Sequence, residues 1–594
     1  MTLPTPVAPQ CVHPKAKPPR WSSFFAIVAI PALILGALIW KFGVDVPYYD
    51  HWLAMAPMFK KWSEGTLGIS DFFAQNNEHR LPVPRLVFLP LGLLTKWNTR
   101  AEMFATWTVL ILLAASVWRL LVATGWRASR GTHALFACIA LLQFNLLQHE
   151  NLLWGFTFHF VVPLLFMLAS IVAAVRLPAP RNFLATAILC TAATYSIASG
   201  FTCWLLTAPL LMLPRARGLA PEMRKWMLLW FGGFAVSFGC YFIGYEHPAH
   251  HPVPEDTLRH LGAAARYWVA YVGGAFASGS ATRALMLATL AGSTIFATFV
   301  AALAGLWRWR ADRAFLERAL PWAMVSAIGF VNATIVALGR AGFGPYQALA
   351  SRYTTYSIMA TIGLAPLAIL VLRRWKLDHP SSHVRKAVSI AAGIAAAALM
   401  AIHLNADSRA LPRWSRFSHM CHTAKSLLTT INVVDETALC TESLWMRPKE
   451  IPELAAAMDR MGFLRPALLR SRDVSEIAAS PAAPGTMQIH GITKADELVL
   501  GGWAVLPDSS RVADAVFVTC DDEKHRPMLL AVADVHLPSR EGLAATMDTD
   551  LAECGWIKAV QLKKLGDHKG TIRAWAYDAD LGRAYPVTGA AFEP

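Results

Sequence analysis

Residues 24–40 read FFAIVAIPALILGALIW, a stretch that carries no charge from end to end. A helix needs about 20 predominantly apolar residues to cross the hydrocarbon core of a bilayer. This stretch therefore predicts a first membrane helix, preceded by a mildly basic cytoplasmic tail at residues 1–22. A cleaved signal peptide is the competing interpretation, but the stretch is long and no small-residue cleavage site follows it.

Similar apolar stretches recur through the first two-thirds of the 594-residue chain and stop near residue 403. The longest lie at 103–123, 161–175, 227–243, 284–306, 324–338 and 358–372. Overall, 55% of the residues are hydrophobic and 16% are charged, against roughly 25% charged in soluble domains. The pattern predicts a mainly α fold: a polytopic bundle of about 11–13 transmembrane segments at 23–403, with a large first outer loop at 43–82.

The net charge of +15 comes largely from short basic loops between the apolar stretches. These loops lie at 176–181, 215–225, 308–318 and 373–386. They follow the positive-inside pattern of cytoplasmic loops, which disfavours nucleic acid as a partner. Counting crossings from them puts residues 404–594 outside. The basic loop 126–130 fits only if the Pro-containing segment 83–95 is tilted or re-entrant.

The last third of the chain has a different pattern. Residues 404–480 predict short helices, and 487–594 alternate like strands separated by turn residues, which is typical of a small all-β sandwich. The stretch Ser480–Gly485 predicts a linker. Four cysteines in an oxidising compartment predict two disulfides, with four free thiols as the alternative. The domain division favours the pairs Cys421–Cys440 and Cys520–Cys554.

Polar and aromatic residues gather at the predicted outer ends of the apolar stretches. They are Asp45, Asp50, Glu78, His79, Arg80, His149, Glu150, Asn151, Trp154, Arg340, Arg352 and Tyr353. One such residue alone is usually a solvated loop residue, but many at one depth tend to line a polar cavity. There a carboxylate can act as a base and arginines can neutralise a phosphate. A divalent metal, Mg or Mn, at the acids is the alternative.

This layout resembles the GT-C superfamily of membrane glycosyltransferases, including protein mannosyltransferases and the aminoarabinose transferases of lipid A. Members have an acidic residue in a large first periplasmic loop and a second one in a later loop, and they use polyprenyl-phosphate sugars. The resemblance implies that Asp45 or Asp50 is the first acid and Glu150 the second. The chain departs from the family at Ser196–Ser199, where a lysine is frequent, and it lacks an adjacent Asp-Glu pair in the first loop.

The sequence thus predicts a bacterial inner-membrane enzyme with a periplasmic C-terminal domain. It would transfer a sugar from a polyprenyl-phosphate donor to a glycan, lipid or protein acceptor, with membrane lipids as its surroundings. Asp50 or Asp45 would activate the acceptor, Glu150 and His149 would position it, and the arginines would hold the donor phosphate. The first alternative is a transporter or flippase for a lipid-linked glycan, which would need charged residues on both faces of the membrane. A non-catalytic envelope assembly protein is the second alternative.

Overall fold

The computed structural model describes residues 18–213, 220–248, 252, 254–379, 381–436, 451–507, 511–537, 553–564 and 570–592. Over these residues the chain is mainly helical as far as residue 460 and then forms β-sheets, as the sequence predicts. Contacts between residues divide it into two compact units. The first unit comprises residues 1–35, 107–148 and 161–409, and the second comprises 36–106, 149–160 and 410–594.

Twenty helices lie within the described ranges. They are α1 (Trp21–Phe42), α2 (Asp50–Ala54), α3 (Ala56–Ser63), α4 (Ile69–Phe73), α5 (Pro82–Thr95), α6 (Thr99–Ala123), α7 (Arg130–Gln143), α8 (His149–Leu153), α9 (Phe158–Arg176), α10 (Arg181–Thr194), α11 (Thr202–Met212), α12 (Ala220–Tyr241), α13 (Pro254–Arg259), α14 (Leu261–Val272), α15 (Ala281–Arg308), α16 (Arg313–Arg340), α17 (Thr354–Asp378), α18 (Ser382–Ser408), α19 (Leu411–Thr430) and α20 (Ile451–Arg460).

Eight helical segments of the described chain are long and apolar enough to cross a membrane. They are Trp21–Phe42, Thr99–Ala123, Arg130–Leu153, Gly155–Arg176, Ala281–Arg308, Arg313–Phe343, Ser351–Asp378 and Ser382–Thr430. Two shorter apolar helices lie at Pro82–Thr95 and Ala198–Met212. The predicted multi-pass membrane protein is therefore confirmed. The full-length spans in the described residues are fewer than the predicted total of about 11–13 because several predicted segments form short helices.

Helix α5 is the segment on which the predicted topology depends. Its 14 residues span about 21 Å at 1.5 Å per residue, less than the roughly 30 Å of a hydrocarbon core. It ends where Lys96 and Trp97 take positive φ angles of 53° and 54°, which an α-helix cannot continue. A Cβ on its Gly92 would lie 2.3 Å from the Phe59 ring, so α5 packs closely on α3. The length of α5 suits an incomplete crossing.

In the first unit, neighbouring helices approach closely where both carry small residues. A Cβ on Gly363 of α17 would lie 2.2 Å from the backbone nitrogen of Ser326 in α16. One on Gly292 of α15 would lie 2.0 Å from the carbonyl oxygen of Val269 in α14. Apolar side chains gain little by leaving lipid, so membrane helices depend on this close packing. Glycine at these positions is therefore required by the packing.

The C-terminal region is a sandwich of two four-stranded antiparallel sheets, in the orders β10-β9-β5-β6 and β3-β4-β8-β7. Earlier in the chain, in the first loop, β1 (Gln75–Asn76) and β2 (His79–Arg80) form a short antiparallel hairpin. The sandwich strands are β3 (Gly485–Ile492), β4 (Glu497–Ala504), β5 (Ala515–Asp521), β6 (Pro527–Ala533), β7 (Val535–Leu537), β8 (Gly555–Gln561), β9 (Ile572–Asp578) and β10 (Arg583–Phe592). Side chains of both sheets, such as Leu500 of β4 and Val518 of β5, form one buried core. The predicted β-sandwich is therefore confirmed.

The stretch predicted as a linker is bound to the sandwich. The Ala479 and Ala483 backbone N–H groups donate hydrogen bonds of 2.9 Å to carbonyl oxygens of β10. Gly485 is already the first residue of β3. The prolines of this stretch predicted a linker, and its backbone groups find partners at the edge strand β10. Its role as the connection between the helical region and the β-domain stays a prediction.

Helix α19 is joined to the sandwich by two aspartates. Asp534 accepts a 2.7 Å hydrogen bond from the Thr423 hydroxyl and lies 3.3 Å from His419 Nε2. Asp580 lies 2.6 Å from Lys425 Nζ and 3.4 Å from His422 Nε2. The face of α19 that carries these side chains is therefore attached to the β-domain by charge-assisted contacts.

Candidate functional site

The predicted site begins directly after α1, where the chain turns into the short helix α2. Tyr49 precedes α2 with φ 51° and ψ −121°, a conformation that L residues rarely adopt. Asp50 is the first residue of α2 and is 9% exposed. Strained backbone of this kind persists only where the surrounding structure holds it, and it is concentrated at functional sites. The geometry thus singles out Asp50 among the acids of the first loop.

A buried histidine–carboxylate pair lies next to Asp50. His51 Nε2 is 2.7 Å from Glu102 Oε2, and each side chain is only 1% exposed. Because a carboxylate can only accept, His51 Nε2 carries the proton of this hydrogen bond. The other ring nitrogen, Nδ1, faces the backbone of Tyr48 at 3.1–3.2 Å. Both ring nitrogens of His51 are thus held in place.

The backbone of the 149–160 segment leaves room for Glu102 only because residue 155 is glycine. A Cβ on Gly155 would lie 2.6 Å from Glu102 Oε2 and 2.9 Å from the Thr99 carbonyl oxygen. Glu102 Oε1 is buried and has no hydrogen-bond partner within the described part of the chain. A buried carboxylate with one unsatisfied oxygen is costly, which makes Glu102 a candidate functional group.

A row of aromatic and histidine rings connects this pair to the predicted residues Glu78 and His79. The His51 ring centroid is 5.6 Å from that of Phe156, which is 4.6 Å from that of His159. The His159 ring is in turn 5.7 Å from His79. His79 Nε2 lies 3.8 Å from Glu78 Oε1. All these residues belong to the second unit, so the first loop and the 149–160 segment form one buried polar cluster.

The segments that carry Asp50 and Glu150 contact each other through Trp154. Its indole N–H donates a 3.1 Å hydrogen bond to the Tyr48 carbonyl oxygen. Its ring lies 5.4–5.5 Å from the rings of Tyr48 and Tyr49. Trp154 is buried, and its predicted contact with substrate stays a prediction. Trp154 fixes α8 beside the start of α2.

Two further predicted residues lie on α8. Asn151 is 1% exposed, and the His149 ring is 6.0 Å from Phe417 of α19. Phe417 also contacts Tyr48, at 5.9 Å between ring centroids. Helix α19 therefore packs against both segments of the candidate site, a contribution that the sequence did not indicate.

Asp45, the alternative to Asp50 as the first acid, has both carboxylate oxygens occupied. Oδ1 accepts the Thr99 backbone N–H at 2.8 Å, at the start of α6. Oδ2 accepts two hydrogen bonds from the Arg465 guanidinium, at 2.7 and 3.1 Å. Negative charge at a helix N-terminus and a forked Arg pair are both stabilising. These contacts favour a structural role for Asp45.

The arginines of the first loop are buried and bind backbone carbonyls. Arg80 is 9% exposed and donates from Nη1 to the Phe73 oxygen at 2.8 Å. Arg85, which the sequence did not single out, is 3% exposed and donates to the oxygens of Asp71, Phe72 and Ala74. These carbonyls belong to the C-terminal end of α4, where a cation is favoured. Arg85 therefore fixes the loop that presents Arg80.

Arg340, Arg352 and Tyr353 belong to the first unit and form a cluster of their own. Gln347 joins two tyrosines: it accepts from the Tyr267 hydroxyl and donates to the Tyr353 hydroxyl at 2.9 Å. The Arg352 guanidinium lies 5.3 Å from the Tyr353 ring. Both arginines act electrostatically on Tyr267. Their predicted convergence with Asp50 and Glu150 stays a prediction.

Of the two predicted disulfides, only Cys520–Cys554 has both residues within the described part of the chain, and it is not formed there. Cys520, on β5, carries a free thiol that donates to the Gly570 carbonyl oxygen at 3.4 Å. Cys554 lies at the start of β8, in the other sheet, beside Val505. Cys421 is a buried free thiol of α19, and its predicted partner Cys440 lies outside the described residues. The Cys520–Cys554 prediction rested on compartment and on the domain division, and the structure does not form this bond.

The sequence analysis missed Glu102, His159 and Arg85 for one reason. Each lies inside or at the edge of an apolar stretch, and those stretches were taken only as membrane segments. An ionisable residue within such a stretch is itself a signal of function. Within the described ranges, no group of three or more His, Cys, Asp or Glu side chains is arranged to hold a metal ion.

The fold and this cluster define a class: a multi-pass membrane protein with a C-terminal β-sandwich and a buried acid–histidine site in its second unit. No family model matches the chain, and no curated protein matches it.

Proposed function

We propose that this protein is a bacterial inner-membrane glycosyltransferase that moves a sugar from a polyprenyl-phosphate carrier to an acceptor at the periplasmic face. The observation that supports it best is the buried His51–Glu102 pair next to Asp50. Such an arrangement is expensive at membrane depth and is typical of functional sites. The proposed orientation of the protein in the membrane is argued from the basic loops described above.

In the proposed reaction, Asp50 accepts the proton of an acceptor hydroxyl. The acceptor oxygen forms a bond to the anomeric carbon of the sugar, and the bond from that carbon to the carrier phosphate oxygen breaks with its electron pair. The carrier leaves as polyprenyl phosphate. A carboxylate can serve as this base when it lies within hydrogen-bond reach of the acceptor.

The neighbouring residues have distinct proposed roles. The His51–Glu102 pair holds the start of α2 and so positions Asp50. Glu150 and His149, on the contacting helix α8, position the acceptor. Arg80 neutralises the leaving phosphate. Arg340 and Arg352 are the donor-phosphate ligands that the sequence predicts. Fixed dipoles and charges of this kind stabilise developing charge without reorganisation.

The test is transfer by the purified full-length protein, supplied with a panel of polyprenyl-phosphate sugars and candidate acceptors. Asp50→Asn should lower turnover at least about 100-fold, the usual contribution of a general base, and should leave donor binding nearly unchanged. Glu64→Gln, on an exposed residue of the same loop, is the matched control and should keep full activity. Cleavage of the sugar from the donor at a rate that does not depend on Asp50 or Glu150 would contradict the mechanism.

Donor binding gives a second, independent measurement. Arg352→Ala removes a cation that can form a charge-assisted phosphate contact, so we expect the Kd for the donor to rise about tenfold. Saturable donor binding with no turnover on any acceptor would instead favour a carrier of lipid-linked glycans.

A further inference from the structure

A large groove runs along four helices of the first unit, α7, α15, α17 and α18. Its volume is about 1380 Å³, above the roughly 300–1,000 Å³ of typical small-molecule sites. All four helices are candidate membrane spans, so the groove lies at membrane depth. It is distinct from the candidate catalytic cluster, whose residues belong to the second unit.

The walls of the groove are apolar and built largely from small residues. Ala301 and Ala302 of α15, Ala368 of α17 and Ala396 of α18 are examples. On α15 the lining runs from Thr294 to Trp309, about 22 Å at 1.5 Å per residue. That is about three-quarters of a hydrocarbon core of roughly 30 Å. Small side chains over this length leave an elongated space that suits an extended hydrocarbon chain.

One end of the groove is strongly basic. Arg308 and Lys376 line it, and Lys376 also lines an adjoining cavity of about 370 Å³. Arg385 and Lys386 line the same adjoining cavity. Among the described residues, none of these four cations forms a salt bridge. The apolar groove and a cavity that favours an anion therefore share Lys376 as a lining residue.

The acid at this end makes its direct contacts with other groups. Asp378 lines the groove, but its carboxylate is bound by the Arg374 guanidinium and by the Trp309 indole N–H at 2.7 Å. Arg374 also contacts Asp312, at 3.2 Å. The charge that faces the adjoining cavity is consequently positive.

We propose that the groove binds an anionic phospholipid, with an acyl chain along α15 and α17 and the phosphate headgroup at Lys376, Arg385 and Lys386. Charge complementarity identifies the headgroup, because basic pockets between membrane helices on the cytoplasmic side bind acidic lipid headgroups. The position of the groove at membrane depth identifies its apolar occupant as an acyl chain, because lipid surrounds the protein there. The site does not depend on the proposed transfer reaction.

The experiment compares lipid binding by the full-length protein in nanodiscs or by native mass spectrometry, with phosphatidylglycerol and phosphatidylcholine as probes. Each basic residue near an acidic headgroup contributes about 1 kcal/mol, or about fivefold in affinity. The combined Lys376→Gln, Arg385→Gln and Lys386→Gln variant should therefore lose about 100-fold in phosphatidylglycerol affinity and keep its phosphatidylcholine binding. Arg310→Gln, on an exposed arginine that lines neither cavity, is the matched control.

A second variant tests the chain site without changing charge. A Cβ on Gly393 of α18 meets nothing within 4 Å, and Gly393 lines the groove. The Gly393→Leu variant should fold normally. Its leucine side chain should occupy the groove and weaken the binding of both lipids. Unchanged phosphatidylglycerol binding in both variants would overturn the proposal. Displacement of the lipid by inorganic phosphate would show a site for an anion and none for an acyl chain, which also contradicts the proposal. Tighter binding of polyprenyl phosphate than of phosphatidylglycerol would reject the phospholipid assignment.

Discussion

At the scale of single residues, Asp45 and Asp50 differ in what surrounds them, although both are acids just after α1. Asp45 is bound by Thr99 and Arg465 on its two oxygens. Asp50 begins a short helix after a strained tyrosine and precedes the buried His51. Asp45 is held by these contacts, so we predict that its replacement lowers stability, whereas replacement of the proposed base Asp50 lowers turnover.

Replacing Asp45 tests its structural role. Asp45→Asn removes a charge-assisted pair, so the free energy of unfolding should fall by about 1–3 kcal/mol while turnover per folded molecule is retained. Thermal unfolding in detergent and activity normalised to folded protein are the measurements. Arg465→Ala should give the same loss, and the double variant should add little to it. A 100-fold loss of turnover in folded Asp45→Asn would make Asp45 the base instead.

Glu102 provides the second prediction at this scale. Glu102→Gln keeps the size of the side chain but removes the charge that is paired with His51. Turnover should therefore fall and its pH profile should change. Gly155→Ala, which would place a methyl group 2.6 Å from Glu102 Oε2, should act in the same direction. A purely structural role would lower stability and leave the pH profile unchanged.

At the scale of elements, the contact between α19 and the sandwich depends on pH. Burial alone would raise the pKa of Asp534, but nearby His419, the hydrogen bond from Thr423 and the charge of His536 lower it to about 2. The pKa of Asp580 is lowered in the same way by His422 and Lys425, against the opposing effect of burial. A carboxyl with a lowered pKa in the folded state stabilises that state wherever it is ionised.

The resulting stabilisation should be lost in acid. It is fully present above the ordinary pKa of 3.8 and disappears as the pH falls through the folded-state pKa, so the window for Asp534 is about pH 4 to 2. Asp534→Asn should lower stability by about 2 kcal/mol at pH 7 and remove much of this pH dependence. Fluorescence-monitored unfolding over pH 6 to 2 measures both effects. Asp496→Asn, in an exposed turn, is the control, and an equal effect there would disprove the assignment.

At the scale of the whole molecule, the orientation of the protein in the membrane decides which compartment the site faces. The last basic loop, 373–386, precedes one apolar helix, so we predict that residues 404–594 are periplasmic. An alkaline phosphatase fused to the C-terminus should be active, and a green fluorescent protein fused there should be dark. The reverse pattern would move the proposed reaction to the cytoplasm. A fusion after residue 311, in a predicted inner loop, is the matched control and should give the opposite readout.

The sequence by itself determined the class of the molecule. Long apolar stretches must be membrane helices because a bilayer offers no partners to an unpaired backbone. Alternating strands between turn residues predicted the sandwich, since successive side chains of a strand face opposite sides. That the apolar helix at 83–95 is short was also predictable, from its length and its prolines. These features are local, and local patterns contain enough information to specify them.

Only the tertiary structure decided which polar residues act together. Residues far apart in the chain, such as His51 with Glu102 and Asp45 with Arg465, meet through packing that no spacing encodes. The same holds for the linker that pairs with β10 and for Cys520, whose surroundings depend on its sheet. A side chain's partners depend on long-range contacts, whereas its tendency to form a helix or strand depends on its neighbours. That difference is why the fold class could be predicted from the sequence and the site had to be located in the structure.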